Sequence, residues 1–150
     1  MNDQSVLDAM PEVVFVKVHP AARLPQKNHE SDTGFDLFGI EDVVVPARGS
    51  AIVPTGIDVG YIPPGYWFQI AGRSGLGFKH SLEPHPGTVD NEYRGNLGVK
   101  IFNFSDTEYQ FKAGDKIAQI IFFLNLDIKV KWGEKVPAVR GEKGFGSSGR

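Results

Sequence analysis

GTVDNEYRGNLGV, residues Gly87 to Val99, gathers a carboxylate (Asp90), a second acid (Glu92), an aromatic (Tyr93) and a base (Arg94) inside one glycine-punctuated segment. Its reading sets the fold class. GTVD has the form of a strand end, Gly95-Asn96 that of a tight turn requiring positive φ, and LGVKIFNF that of a returning strand, so a β-hairpin is expected here. A hairpin holds its inner residues rigidly because their backbone groups are committed to the ladder. Asp90 is then either a turn carboxylate bonding its own backbone or a fixed acid facing a ligand.

Outward from this stretch the pattern stays extended. VVFVKV (Val13 to Val18), FDLFG (Phe35 to Gly39), VVVP (Val43 to Pro46), AIVPTGIDVG (Ala51 to Gly60) and YWFQIAG (Tyr66 to Gly72) are rich in β-branched and aromatic residues. Turn signals separate them: Pro63-Pro64-Gly65, the ARGS of Ala47 to Ser50, and the KAGD of Lys112 to Asp115. KIAQIIFFLNL, from Lys116, is a near-continuous apolar run of the kind expected for a strand covered on both faces, interrupted by Gln119. No segment keeps a helical period, so an all-β sandwich or barrel with little helix is expected.

Composition narrows the function classes. The chain has 150 residues, suited to one domain, and its 41% apolar content with eleven Phe describes a globular protein. A net charge of −2 gives no broad basic footprint, which excludes wholesale nucleic-acid binding. With no cysteine there is no disulfide, thiolate nucleophile or cysteine-bound zinc. The four histidines form no HExxH pair, and the spacing of His80 and His85 would set them on opposite faces of a strand. No apolar run is long enough to cross a membrane and MNDQSVLDAMPE is no secretory signal, so the expected location is cytoplasmic or otherwise intracellular, nuclear included for a eukaryotic or viral source.

Two further segments carry chemistry. GRSG (Gly72 to Gly75) offers a guanidinium, a hydroxyl and open backbone N–H groups, the donor set a phosphate needs, although GxxxxGK[ST] is absent and no helix is expected after it. A glycine-rich corner with a surface arginine is the plain alternative. RGEKGFGSSGR (Arg140 to Arg150) reads either as a frayed terminus or as a lid. In the second case Phe145 would reach a flat partner, Ser147 and Ser148 would donate to an anion, and Arg140 would supply a bidentate phosphate donor.

TGFDL (Thr33 to Leu37), GRSGL (Gly72 to Leu76), GTVDNEYRG (Gly87 to Gly95), GDKIAQII (Gly114 to Ile121) and RGEKGFGSSG (Arg140 to Gly149) resemble, in order and spacing, the five motifs of the trimeric dUTPase family. The resemblance implies a jelly-roll-like β-clip barrel or sandwich, homotrimeric, with residues 1–139 as the β-barrel domain and residues 1–12 as a loose arm. Residues 140–150 would be a flexible lid closing a site formed by other subunits. The implied activity is Mg²⁺-dependent hydrolysis of dUTP to dUMP and pyrophosphate, which limits uracil incorporation into DNA and supplies dUMP for thymidylate synthesis. Implied partners are dUTP and the other two subunits, with no nucleic acid and no membrane.

By the same resemblance Asp90 is the catalytic carboxylate that orients and deprotonates the water attacking the α-phosphorus. Tyr93 packs under the deoxyribose, while Gly87, Thr88, Val89 and, opposite them, Gly98 present backbone groups to uracil. Arg73, Ser74, Gly75 and Gln119 contact phosphates, Arg140 grips the γ-phosphate, Phe145 stacks over the base, and Gly146 and Ser147 donate to phosphates. Gln119 also admits a structural reading, a buried amide satisfied by backbone. Asp36 is either an organiser of the site and of the metal's water shell or a carboxylate paired with an arginine. No direct protein ligand to Mg²⁺ is expected, the ion being held mainly by the triphosphate.

The chain departs from the family pattern at Gly72, commonly Pro, at Thr33, commonly Ala, and at Thr88, commonly a larger aliphatic residue. Pro84 and Pro86 precede the central stretch and remove two backbone donors, which would either alter base recognition or only stiffen an edge. Three other functions are compatible with the residue types. They are the related deoxycytidine triphosphate deaminase, a nucleotide-sensing regulator that binds a partner protein, and a hydrolase using Ser74, His80 or His85, and Asp90.

Overall fold

The computed structural model describes residues 3–140 and 142. Eleven strands and two short helices follow in the order α1 (Asp3–Asp8), β1 (Val14–Lys17), β2 (Phe35–Phe38), β3 (Val43–Val45), β4 (Ser50–Val53), β5 (Ile57–Tyr61), β6 (Tyr66–Ala71), α2 (Ser74–His80), β7 (Leu82–Pro84), β8 (Gly87–Val89), β9 (Val99–Asn103), β10 (Tyr109–Phe111) and β11 (Lys116–Leu124). All pairings are antiparallel. A four-stranded sheet runs β2-β11-β6-β8 and a three-stranded sheet β4-β9-β7, joined by the pairs β1-β5 and β3-β10. The β class expected from the sequence is the observed one. The arm expected to be loose carries α1, and a helix does follow GRSG.

The core comes from period-two alternation. Phe68 and Ile70 of β6, Ile57 and Val59 of β5, and Val99 and Ile101 of β9 point inward and are buried, while their neighbours are more exposed. Phe122 meets Phe35 and Phe68 edge-on, at ring-centroid distances of 5.4 and 5.5 Å, and so fastens β2 and β6 to β11. In β11 Ile117, Ala118 and Ile120 are buried as the apolar run predicts. Covering lapses beyond them, where Phe123 and Leu124 are exposed.

Buried polar groups in this core are bonded. Thr55, 1% exposed, donates its hydroxyl to the Leu97 carbonyl at 2.9 Å, tying the β4–β5 turn to the segment that leads into β9. Thr55→Val keeps the volume and deletes that bond, so unfolding in urea should show a loss of about 1–2 kcal/mol. A change below about 0.5 kcal/mol would mean that the hydroxyl is not needed there.

The central stretch folds differently from the hairpin expected of it. β8 pairs with β6, Gly87 opposite Ile70 and Val89 opposite Phe68, whereas β9 pairs with β4 and β7. Neither Gly95 nor Asn96 has positive φ. The reason is the edge of β5. Leu97 N–H donates to the Ile57 carbonyl and Val59 N–H to the Gly95 carbonyl, both at 3.0 Å, while the Asn96 amide reaches the Ile57 carbonyl at 3.1 Å and Asp58 Oδ1 at 3.0 Å. Residues 95–97 therefore lie extended along β5, and the reversal falls earlier, where Tyr93 N–H bonds the Asp90 carbonyl at 3.0 Å. Gly95 is required for space instead. A Cβ there would stand 2.5 Å from the Tyr93 hydroxyl oxygen.

The two histidines expected on one strand are also separated. His80 ends α2 with its ring 4.8 Å from that of Tyr109, and His85 follows β7 beside Phe102.

Candidate active site

Asp90 follows β8 directly and is exposed. Its carboxylate has no hydrogen bond or ion pair among the described residues, so it is not the self-bonded turn acid that the sequence also allowed. Its position is nevertheless fixed. The next residue, Asn91, donates its side-chain amide to the carbonyls of Ile62, Pro63 and Tyr66 at 3.3, 2.8 and 3.0 Å, pinning the turn to the β5–β6 connection. Arg94 closes the other side by bonding the carbonyls of Asn91 and Tyr93 at 2.8 and 2.9 Å. Asn91 was not singled out from the sequence, although Asn beside a turn is the residue type that makes such side-chain clamps.

Beside this turn lies a cleft of about 200 Å³ lined by Ile70, Thr88, Val89, Tyr93, Asn96, Leu97 and Gly98. Four of the predicted base- and sugar-binding residues therefore meet in one place, with Gly87 adjoining them in β8 opposite Ile70. The Tyr93 hydroxyl donates to the Asn96 carbonyl at 2.7 Å, which fixes the ring. At Gly98 a Cβ would come within 3.2 Å of the Ile52 side chain, so this wall is tight. Neither Pro84 nor Pro86 lines the cleft. Pro84 is buried at the end of β7 opposite Ile101, and His85 N–H takes up the bonding by donating to the Lys100 carbonyl at 2.7 Å.

The predicted phosphate-handling residues meet elsewhere. A polar cleft of about 340 Å³ is lined by Arg73, Ser74, Gly75, Gln119, Asp36, Asp32 and Lys116, among others, and shares no lining residue with the first. A further cavity of about 500 Å³ uses Arg73, Ser74 and Gln119 as a common wall and adds Gly72, Gly77, Phe78 and Glu83. Arg73 precedes α2 in an extended conformation, and Ser74 and Gly75 form the helix's first turn, where backbone N–H groups have no partner within the helix. Arg73, which lines the cleft, donates Nε to Asp36 Oδ1 at 3.2 Å, so its two terminal nitrogens are not used in that bond. Lys116 Nζ lies 3.2 Å from the other Asp36 oxygen.

Both Asp36 oxygens are thus engaged by cations, the paired-carboxylate reading of that residue. Gln119 donates to the Gly72 carbonyl at 2.7 Å, and its side chain lies against Gly34 so closely that no Cβ fits there. The amide is therefore satisfied by backbone while also lining the cleft. Arg140 is exposed near the end of the described chain, and Phe145, Gly146 and Ser147 lie outside the described residues. The strand–turn–helix from β6 to α2 exists after all, but no histidine bonds Ser74, and His80 sits at the far end of the helix. No nucleophile–base pair of the serine-hydrolase kind forms there.

Among the described residues no three His, Asp or Glu side chains are arranged to hold a metal ion.

The molecule is thus an antiparallel β protein that presents an unpaired acid beside a narrow cleft and a separate set of anion donors. The dUTPase family model matches residues 21–149. The deoxyuridine 5'-triphosphate nucleotidohydrolase of Oryza sativa subsp. japonica is 45% identical over 134 residues, which are 89% of this chain and 78% of the relative. That of fowl adenovirus A serotype 1 is 40% identical over 143 residues, covering 93% and 78%. Among solved structures, the dUTPase of Staphylococcus bacteriophage 80alpha with dUpNHpp has a TM-score of 0.83 at 30% identity, over 93% of this chain and 99% of that one. A mutant dUTPase from phage phi11 of S. aureus, whose structure reveals the coordination of a structural Mg(II) ion, has a TM-score of 0.74 at 29% identity, over 85% and 99%. The chain belongs to the dUTPase family.

Proposed function

We propose that this chain hydrolyses dUTP to dUMP and pyrophosphate as a homotrimer whose active sites combine clefts of different subunits. The observation that carries the reading is the Asp90 carboxylate, unpaired yet held in place by the Asn91 clamp beside the Tyr93 cleft. In this reading Asp90 orients a water and takes its proton as the water oxygen bonds to the α-phosphorus. The bond from that phosphorus to the bridging oxygen breaks, and pyrophosphate leaves with the electron pair. Asp90 is held at a fixed place, so geometry and charge stabilisation supply most of the rate. Mg²⁺ would be held mainly by the triphosphate itself and, when bound, would neutralise part of the phosphate charge.

The narrow Thr88–Gly98 cleft takes uracil edge-on through backbone groups. Tyr93 lies under the deoxyribose and excludes a 2′-hydroxyl. A base whose donors and acceptors are reversed leaves these backbone groups unpaired, which is how cytosine is rejected. Phosphates go to the free nitrogens of Arg73, to Ser74 and to the amides of Gly75 and its neighbours, with Gln119 beside them. Arg140 grips the γ-phosphate, and Phe145, Gly146 and Ser147 close the site.

The assembly has physical support in the end of the chain. Beyond β11, Leu126, Ile128, Val130 and Trp132 alternate with Asp127, Lys129 and Lys131 and are 70% to 100% exposed. This strand-type pattern has no sheet partner among the described residues, and a second copy of the chain would provide one.

Pyrophosphate release from dUTP, dTTP, dCTP and UTP, each with Mg²⁺ and with a chelator, tests the activity. Release from dUTP alone, abolished by chelator, is expected; release from none of the four would overturn the proposal. The regulatory reading draws on the description of phage dUTPases as controlling the transfer of virulence genes. Pull-down with and without dUTP separates it, since a regulator captures a partner in a nucleotide-dependent way.

A further inference from the structure

Glu83 of β7 points between the two glycines that bracket the Arg73–Ser74 corner. A Cβ on Gly72 would lie 2.5 Å from one of its carboxylate oxygens, and a Cβ on Gly77 would lie 2.5 Å from the other. Two bare glycines thus make room for a carboxylate in the wall of the roughly 500 Å³ cavity that also contains Arg73, Ser74 and Gln119. Glu83 has no hydrogen bond or ion pair among the described residues, so its charge is not cancelled locally. The charged residues lining this cavity and its neighbour are two cations, Arg73 and Lys116, against three carboxylates, Asp32, Asp36 and Glu83, a balance of −1. Both cations are already drawn to Asp36. The net charge of these walls thus works against a bare polyphosphate, although their donors suit phosphate oxygens.

We propose that Glu83 is a specificity-determining residue that makes this corner select metal-complexed triphosphates over uncomplexed ones. The inference rests on the function proposed above and adds to it a charge filter. An uncomplexed triphosphate brings a large negative charge against the unpaired carboxylate. A divalent cation on its oxygens lowers that charge and so weakens the repulsion. Glycine at 72 and 77 is what lets the carboxylate stand there.

The test is calorimetric binding of the non-hydrolysable analogue dUpNHpp in Mg²⁺ and in EDTA. It uses the intact wild-type protein, Glu83→Gln, and Glu41→Gln as a control for net charge, since Glu41 is exposed between β2 and β3 and lines none of these clefts. Glu83→Gln should tighten the EDTA dissociation constant about fivefold and change the Mg²⁺ value less than about twofold, with Glu41→Gln altering neither. Equal tightening in both conditions, the same effect in both variants, or no change in Glu83→Gln would overturn the proposal. Failure of the wild-type protein to bind the analogue in either condition would overturn the function reading, and this inference with it.

Discussion

Asp90→Asn should lower kcat for dUTP by about a thousandfold while leaving the dissociation constant of dUpNHpp within about threefold of wild type. The substitution preserves shape and removes the only feature it targets, an ionised oxygen able to accept a proton. The Asp90 carboxylate holds no part of the fold together, because it bonds nothing among the described residues. The turn keeps its shape through the Asn91 amide and the Arg94 guanidinium, neither of which the substitution touches. Weakened analogue binding in step with the lost turnover would make Asp90 a binding or structural residue. A kcat within tenfold of wild type would assign the proton to another group.

Asn103→Leu should cost about 4 kcal/mol of stability, the largest effect expected of any single polar substitution here, and lower the thermal midpoint by roughly 10 °C. Asn103 stands at an inward position of β9, 1% exposed, where the alternation that buries Val99 and Ile101 calls for an apolar residue. Its amide donates to the carbonyls of Val45 at 3.2 Å and Thr107 at 2.9 Å, and its oxygen accepts from Ser105 N–H at 3.0 Å and Ser105 Oγ at 2.8 Å. One side chain thus joins β3, β9 and the turn leading into β10. Leucine fits the volume but strands the Val45 carbonyl and the Ser105 N–H, while the Thr107 carbonyl keeps the Ser105 hydroxyl at 2.9 Å. A shift under about 2 °C would show that water reaches those groups once the amide is gone.

Much of the fold was legible in the sequence because its signals are local. Pro63-Pro64-Gly65 forms the expected turn, with Gly65 at φ +84° and Tyr66 N–H bonded to the Pro63 carbonyl. Lys112–Asp115 turns at Gly114, φ +90°. The ARGS turn forms too, although there Arg48 takes the positive φ while Gly49 does not. Strand pairing was less legible. Nothing within Gly87–Val99 says that the edge of β5 will capture residues 95–97, a contact nearly forty residues away in sequence that converts an apparent hairpin into two strands of different sheets.

The helix after GRSG went unseen because its sequence, SGLGFKH, contains two glycines and has no buried residue, so it carries no amphipathic period. Residues that the motifs name line the clefts, whereas those whose place depends on distant contacts have no motif to mark them. Asn91, Lys116 and Glu83 acquire their roles from the Ile62–Tyr66 carbonyls, from Asp36 and from the Gly72–Gly77 corner, none of which is adjacent in sequence.

The central claim is that an active site takes its acid from one subunit and its anion donors from another. Arg73→Ala and Asp90→Asn, each inactive alone, test it when unfolded together in equal amounts and refolded. Random trimers would then place an intact Arg73 cleft against an intact Asp90 in about a quarter of the sites, and dUTP turnover should return to about a quarter of wild type. Turnover that stays at the level of the separate variants would contradict the account and place both residues in the site of a single chain.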